Sequence, residues 1–205
     1  MAGLTETRWD KSIELPIIQK WKDEQVYKYK HNPQMPVFSI DTPPPYINAP
    51  VHMGHASTYV IMDMFARYKR MTGHNVIFPL GMDRNGLPIE MAAEKKYNIR
   101  LHETPREKFI EYCAQLLREA GTTSLQTFFH AAIGFNEWKV GAEIGQMYET
   151  DSKEYRTLTQ DTFIDLWHKG LVYEAKRLNN YCPGCRTTLS DSELERKEKE
   201  TFLNE

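Results

Sequence analysis

At 205 residues, with 40% apolar and 12% aromatic side chains, the chain has room for one medium domain plus an appendage and enough apolar surface for a real core. Its 26 basic residues against 28 acidic leave a net charge of −2, so nothing in the balance demands a polyanion partner, and no arginine-rich tract suggests strong backbone binding to RNA. The polar start MAGLTETRWDK has no apolar stretch of the secretory kind and no run approaches about 18 apolar residues, which argues against membrane insertion and makes a cytoplasmic chain with no membrane partner the expectation.

From Ser12 to Tyr29, Ile13, Leu15, Ile17, Ile18, Trp21, Val26 and Tyr27 fall among Lys and Glu, a helical pattern that Pro16 interrupts early. Asn32, Pro33 and Pro36 link it to an apolar strand, Val37 to Ile40, and the three prolines at 43 to 45 then impose an extended path that cannot donate to a ladder. Between Ala56 and Thr72, Val60, Met64, Tyr68 and Met71 are spaced three or four apart. This predicts a helix with that face buried and with Arg67, Lys69 and Arg70 in water, stopping at Gly73. Val76 to Leu80 reads as the next strand, leading through Gly81 and Met82 to Asp83. Strand, helix and strand in this order point to an α/β fold with a parallel sheet and ligand at the strands' carboxyl ends.

Thr104, Pro105 and Glu107 form a capping-box pattern with proline at the first helical position. Phe109, Ile110, Cys113, Leu116, Leu117 and Ala120 continue it as an amphipathic helix ending near Gly121, with Cys113 in the core. Ile133 to Met147, rich in small residues, reads as an irregular connection. Thr157 with Gln160 predicts the start of a helix carrying Phe163, Ile164, Leu166 and Trp167 and stopping at Gly170. Leu171, Tyr173 and Ala175 then alternate as one more strand, and the charge-dense tail ELERKEKETFLNE is expected to fray.

The stretch PPPYINAPVHMGHA, Pro43 to Ala56, carries the densest chemistry. His52 and His55 bracket Gly54 where strand should give way to helix. A helix start offers unpaired N–H groups and a positive dipole end to a triphosphate, and two imidazoles can add hydrogen bonds to it. The plain alternative is that the two histidines simply cap the helix. Asp83, at a strand end, has the charge to bind an ammonium group, against the plain alternative of a loop or N-cap carboxylate. Pro43, Pro44 and Tyr46 either wall a small apolar pocket or only stiffen the loop. Cys182 and Cys185, separated by Pro183 and Gly184, supply half of a tetrahedral zinc site, and the chain offers no second such pair.

The HMGH tetrad of residues 52–55 resembles the HIGH signature of class I aminoacyl-tRNA synthetases. FPLGMDRNGLPIE, Phe78 to Glu90, is similar to the paired element of their branched-chain subgroup, and NYCPGCRTTLSDSELE, Asn180 to Glu195, to the knuckle that opens the editing insertion. Within the subgroup the chain looks most like the N-terminal part of an archaeal-type valyl-tRNA synthetase, with isoleucyl and leucyl enzymes as the alternatives. The resemblance implies the first half of a Rossmann-like catalytic domain, with a helical segment over residues 1–36, the half-domain over 37–176 and the start of an inserted region over 177–205.

It further implies activation of valine with ATP and accompanying Mg2+, and transfer to tRNA(Val) when the enzyme is complete. His52 and His55 would be catalytic, contacting phosphate with Gly54. Pro43, Pro44, Tyr46, Asp83 and Asn85 would hold the amino acid, and Cys182 and Cys185 would hold zinc if another chain or segment completes the site. Asn48 and Ala49 depart from the pattern, since many relatives carry glycine there. No KMSKS run occurs among the 205 residues. The expectation is therefore a fragment, one piece of a split enzyme working with a separate chain that carries the C-terminal catalytic half, or a non-catalytic module with an ATP or amino-acid pocket. An adenylylating enzyme outside translation is a further reading.

Overall fold

A computed structural model describes residues 8–191 together with 194, 195, 197 and 198. The chain divides into two compact units between Gln160 and Asp161. No described helix is long and apolar enough to cross a membrane.

In the first unit a short 3-10 turn, Lys11–Ile13, is capped by Asp10 and runs into α1, Glu14–Asp23. Pro16 does not interrupt the helix as expected. It sits in the first turn, where its missing N–H has no intrahelical acceptor to lose. The helix ends instead at Asp23, before Gln25 takes a φ of 50°.

Strand β1, Val37–Ser39, pairs in parallel with β2, Asn75–Ile77, with Phe38 opposite Val76. The crossover between them carries α2, Met53–Met71. The apolar run from Val76 to Leu80 is not one strand. After β2 the backbone pairs with one residue, Asn136, through both its side chain and its backbone: Asn136 Oδ1 accepts the Phe78 N–H, the Asn136 backbone N–H donates to the Phe78 carbonyl at 3.0 Å, and Asn136 Nδ2 donates to the Val76 carbonyl at 2.9 Å. Pairing resumes at β3, Gly81–Met82, which runs parallel to β4, Tyr148–Glu149. A parallel bridge joins Tyr46 to Asp83. Residues 75–83 therefore form a central segment, flanked on one side by residues 36–47 and on the other by Asn136 and residues 148–150. Every pairing here is parallel, as the α/β reading requires.

Two helices, α3 (Leu87–Tyr97) and α4 (Arg106–His130), pack on each other. Neither the Thr104–Glu107 capping box nor the stop at Gly121 forms. Pro105 is the N-cap residue, with no side-chain cap, and the helix runs nine residues past Gly121. Gly121 is buried on the face that continues through Ser124 and Phe128, and its nearest tertiary neighbour is Ile47. A glycine there permits close packing and ends nothing. Phe78, Phe128, Phe135, Ile47, Leu80 and Met82 fill the core, and Cys113 packs against it.

The helix α5, Lys153–His168, opens four residues before Thr157. Ser152 Oγ accepts the Tyr155 N–H at 3.2 Å, whereas Thr157 Oγ1 donates back to the Lys153 carbonyl, so Ser152 caps this helix and Thr157 lies inside it. Gly170 ends the helical path with a φ of 68°.

In the second unit, the alternation from Leu171 to Ala175 gives no strand, since no ladder partner lies beside it among the described residues. An antiparallel hairpin follows, β5 (Asn180–Cys182) with β6 (Thr187–Leu189). Most of the charge-dense tail lies outside the described residues.

Helix α2 is rotated relative to its expected burial. Tyr59, Asp63 and Ala66 face inward, while Met64 and Met71 are 65% and 86% exposed. The inward face is held by charge. Asp63 accepts the Gly134 N–H at 2.9 Å and pairs with Arg67 at 2.7 Å, Arg67 donates to the Ala132 carbonyl, and Arg70 donates to the Gly134 carbonyl at 2.9 Å. Burial pulls the Arg70 guanidinium below its usual range. Two of the three cations expected in water are thus tied to the loop over Ala132–Gly134, because that loop presents carbonyls and an N–H that only polar side chains can satisfy.

Candidate functional site

The amino end of α2 is closed by its own two histidines. His52 is the N-cap residue, with extended backbone, and its Nδ1 accepts the Gly54 N–H at 3.0 Å. In return the His52 N–H donates to His55 Nδ1 at 3.4 Å, and the rings lie 4.1 Å apart between centroids. The capping alternative for the pair is therefore realised, and it has a chemical consequence. A neutral imidazole that accepts through Nδ1 carries its proton on Nε2, so both rings keep an Nε2–H donor not used by the cap. Burial first, and His52 second, pull the His55 pKa below 6.5, which favours this neutral form.

Gly54 answers to the same arrangement. A Cβ at this position would lie 2.8 Å from His52 Cε1 and 3.0 Å from Nδ1, so any side chain here would push the capping ring away. Its carbonyl accepts from Ser57 Oγ and Thr58 Oγ1, each at 3.0 Å.

The carboxyl ends of the parallel strands carry the second group of residues. Asp83 is pinned by its backbone, its N–H donating to the Pro45 carbonyl at 2.9 Å and its carbonyl accepting from Ile47 N–H at 3.0 Å. Its Oδ1 accepts the Asn85 N–H at 3.2 Å and the Thr150 hydroxyl at 3.1 Å. The same Thr150 oxygen accepts from Arg84 N–H and from Asn85 Nδ2, both at 3.0 Å. Arg84 reaches across to Glu149 at 3.0 Å and Asp151 at 2.9 Å. Gly86 has a φ of 90° and starts α3, a conformation that favours glycine.

Thr150 is the residue that sequence reasoning missed. Its neighbours offered one signal, a strand-compatible Met147–Tyr148 pair followed by polar residues, but the irregular segment before it hides the return to the sheet.

Of the other residues read from the sequence, Pro43 is exposed, Pro44 half-buried and Tyr46 exposed beside its bridge to Asp83. Asn85 spends its amide on Thr150. Under them lie two phenols. Tyr59 donates to the Pro43 carbonyl at 3.3 Å, and burial pushes its pKa up to about 12. Tyr148 stacks on Tyr155 at 5.5 Å and covers Gly81, where a side chain would overlap the ring. Burial, then the neighbouring Tyr155, Asp41 and Asp83, raise the Tyr148 pKa. Asn48 and Ala49 line a separate cleft of about 550 Å³ against α3 and α4.

Cys182 and Cys185 sit at the tip of the β5–β6 hairpin, away from these residues in sequence. The Cys185 N–H points at Cys182 Sγ at 3.3 Å and lowers the Cys182 thiol pKa. Among the described residues no group of three or more His, Cys, Asp or Glu side chains is placed to hold a metal. Two thiols alone do not fit a structural zinc site, which takes four ligands.

A family model for class I tRNA synthetases (I, L, M and V) matches residues 16–204. The chain is 47% identical to a valine–tRNA ligase of Pyrobaculum aerophilum and 41% identical to that of Aeropyrum pernix, with 100% and 98% of the chain covered. It spans 25% and 24% of those proteins' lengths. Among solved structures, an Agrobacterium radiobacter LeuRS in a ternary complex with tRNA and LeuAMS matches 90% of the chain and 21% of its own, with a TM-score of 0.69 at 22% identity, a likeness of fold alone. The parallel α/β sheet, the histidine-capped helix and the match over residues 16–204 agree: the chain belongs to the class I tRNA synthetase family.

Proposed function

We propose that this chain is the part of a valine–tRNA ligase that receives ATP and valine, acting with the remaining three quarters of such an enzyme to form valyl-adenylate and charge tRNA(Val). The observation that carries the reading is the reciprocal cap of His52 and His55. It leaves two Nε2–H donors beside the positive end of a 19-residue helix, a donor set that suits a phosphate chain.

Activation joins the valine carboxylate to the α-phosphorus of ATP and releases pyrophosphate, so the protein positions the reactants and stabilises developing charge without a nucleophile of its own. His52 and His55 supply hydrogen bonds to the phosphate oxygens, with Mg2+ arriving on the nucleotide. Asp83, one oxygen held by Thr150 and Asn85 and the other without a hydrogen-bond partner among the described residues, takes the ammonium group. Pro43, Pro44 and Tyr46 border the side chain, and Asn85 positions Asp83 both directly through its N–H and through Thr150. The CxxC hairpin supplies half of a zinc site to be completed from outside this chain, and no chemical step depends on it. The high identity to two valine ligases supports valine over isoleucine or leucine.

Exchange of pyrophosphate into ATP, compared with valine, isoleucine, leucine and no amino acid, tests the reading. Stimulation by valine above the other two supports it, and preference for leucine or isoleucine overturns the substrate. ATP affinity unchanged by joint replacement of His52 and His55 with Ala overturns the phosphate role.

A further inference from the structure

Between α1 and the segment that follows α4 the chain encloses a cleft of about 320 Å³, within the range of small-molecule pockets. Its walls are aromatic. Trp21 and Tyr27 come from α1 and the turn after it, Phe129 and Trp138 from the end of α4 and the stretch beyond, and all four are half-buried, with ring surface left to cover. The two sides are tied together, since Asn136 Nδ2 donates to the Tyr27 carbonyl at 2.8 Å and Lys28 pairs with Glu137 at 3.0 Å. The Arg67 guanidinium lies 5.2 Å over Trp21 and 5.3 Å over Tyr27 and holds both rings. Two lining residues, Gln25 and Ala132, keep φ values of 50° and 55°, which residues other than glycine adopt only where their surroundings impose it. Arg67 sits fifteen residues past the His52 cap, about 22 Å along α2, so this cleft is separate from the donors at the head of that helix.

The charge around the rings selects the ligand. Lys22 Nζ lies 5.1 Å over the Phe129 ring, Lys139 lines the same cleft, and neither ammonium has a carboxylate partner among the described residues. The one acid of the lining, Glu137, is already held by Lys28, so a cation is disfavoured. A flat ring system bearing negative charge fits: rings for stacking, ammonium groups for the anion, and at the rim the Gln25 amide, which has no hydrogen bond among the described residues, for a polar ring edge. From this we infer that the cleft binds a nucleotide, its base against the indoles and its phosphate on Lys22 and Lys139. A free mononucleotide and an unstacked nucleotide of an RNA strand share this chemistry.

The inference does not rest on the valine reading and its readout uses no activity, so either can fail alone. Four tryptophans supply the internal controls, because Trp9 and Trp167 lie outside the cleft. Adenosine monophosphate titrated into the isotope-labelled chain is expected to move the indole N–H resonances of Trp21 and Trp138 and to leave those of Trp9 and Trp167. The shifts should persist in the joint His52→Ala, His55→Ala variant, which lacks the phosphate donors at α2. Lys22→Glu with Lys139→Glu, both at exposed positions and so neutral to the fold by circular dichroism, is expected to weaken binding by at least about tenfold, and Lys108→Glu on α4 to leave it unchanged. A short single-stranded oligoadenylate distinguishes the sources: tighter binding than the monophosphate points to RNA, weaker binding to the free nucleotide, and both support the site. Unmoved Trp21 and Trp138 resonances at millimolar nucleotide, shifts reproduced by ribose phosphate or inorganic phosphate alone, or shifts lost with the two histidines would each overturn it.

Discussion

Thr150 Oγ1 lies 3.1 Å from Asp83 Oδ1 and is at the same time the acceptor for two donors of the turn after β3. A hydroxyl has one proton to give and two lone pairs to offer, and here all three are used. The turn carrying Arg84 and Asn85 and the carboxylate of Asp83 are thereby referred to one atom at the end of β4.

Replacing Thr150 with Val keeps the shape and removes that atom. The Arg84 N–H and the Asn85 amide are left without their acceptor, so the chain should lose about 1–3 kcal/mol of stability, read as a lower denaturant midpoint. On the proposed function, valine affinity should fall about tenfold while ATP affinity holds, and Thr150→Ser should restore both. Equal losses for the two ligands would make the role of Thr150 structural only.

Asp83→Asn tests the charge itself. Asn retains an oxygen for Thr150 and the Asn85 N–H, so stability should change by less than about 1 kcal/mol, whereas calorimetry should show valine binding weakened far more than ATP binding.

At the start of α2, Gly54→Ala sets two effects against each other. Alanine in an exposed helix gains up to about 1 kcal/mol over glycine, yet here its Cβ meets the His52 ring, whose cap contributes about 1 kcal/mol. The expected outcome is no gain in melting temperature, together with a shift of the His52 ring resonances. A clear stabilisation with unmoved resonances would show that the cap does not depend on glycine.

The pH dependence of folding should carry the signature of His55. Its folded pKa lies below 6.5, so the unfolded chain binds more protons in the window beneath that value. The contribution is intact above 6.5 and is lost as pH falls through the folded pKa. His55→Gln keeps an acceptor for the His52 N–H and removes the titration, so its melting temperature should fall less steeply than the wild type's below pH 6.5.

The parallel sheet and the histidines at the head of α2 were legible because each rests on local chemistry: a short apolar strand, a proline-stiffened loop, a glycine between two imidazoles. What sequence left hidden was set by distant partners. Spacing finds the apolar face of α2 but not which way it turns, and the turn is decided by Asp63, Arg67 and Arg70 meeting a loop some 65 residues downstream. Gly121 reads as a stop only until Ile47 is seen against it. Leu171 to Ala175 alternates like a strand, yet no ladder partner lies beside it among the described residues. Thr150 draws its importance from residues 65 and more positions away, which no window along the chain contains.

The closure of α2 by imidazoles has an implication for how this stretch tolerates change. Asparagine or aspartate at position 52 would close the helix at least as well, since capping needs only an acceptor atom of the right reach. Folding therefore places no demand for a ring there. On the proposed function the outward nitrogen of His52 serves the phosphates, so a variant such as His52→Asn divides the residue's two duties, keeping the architecture and discarding the donor.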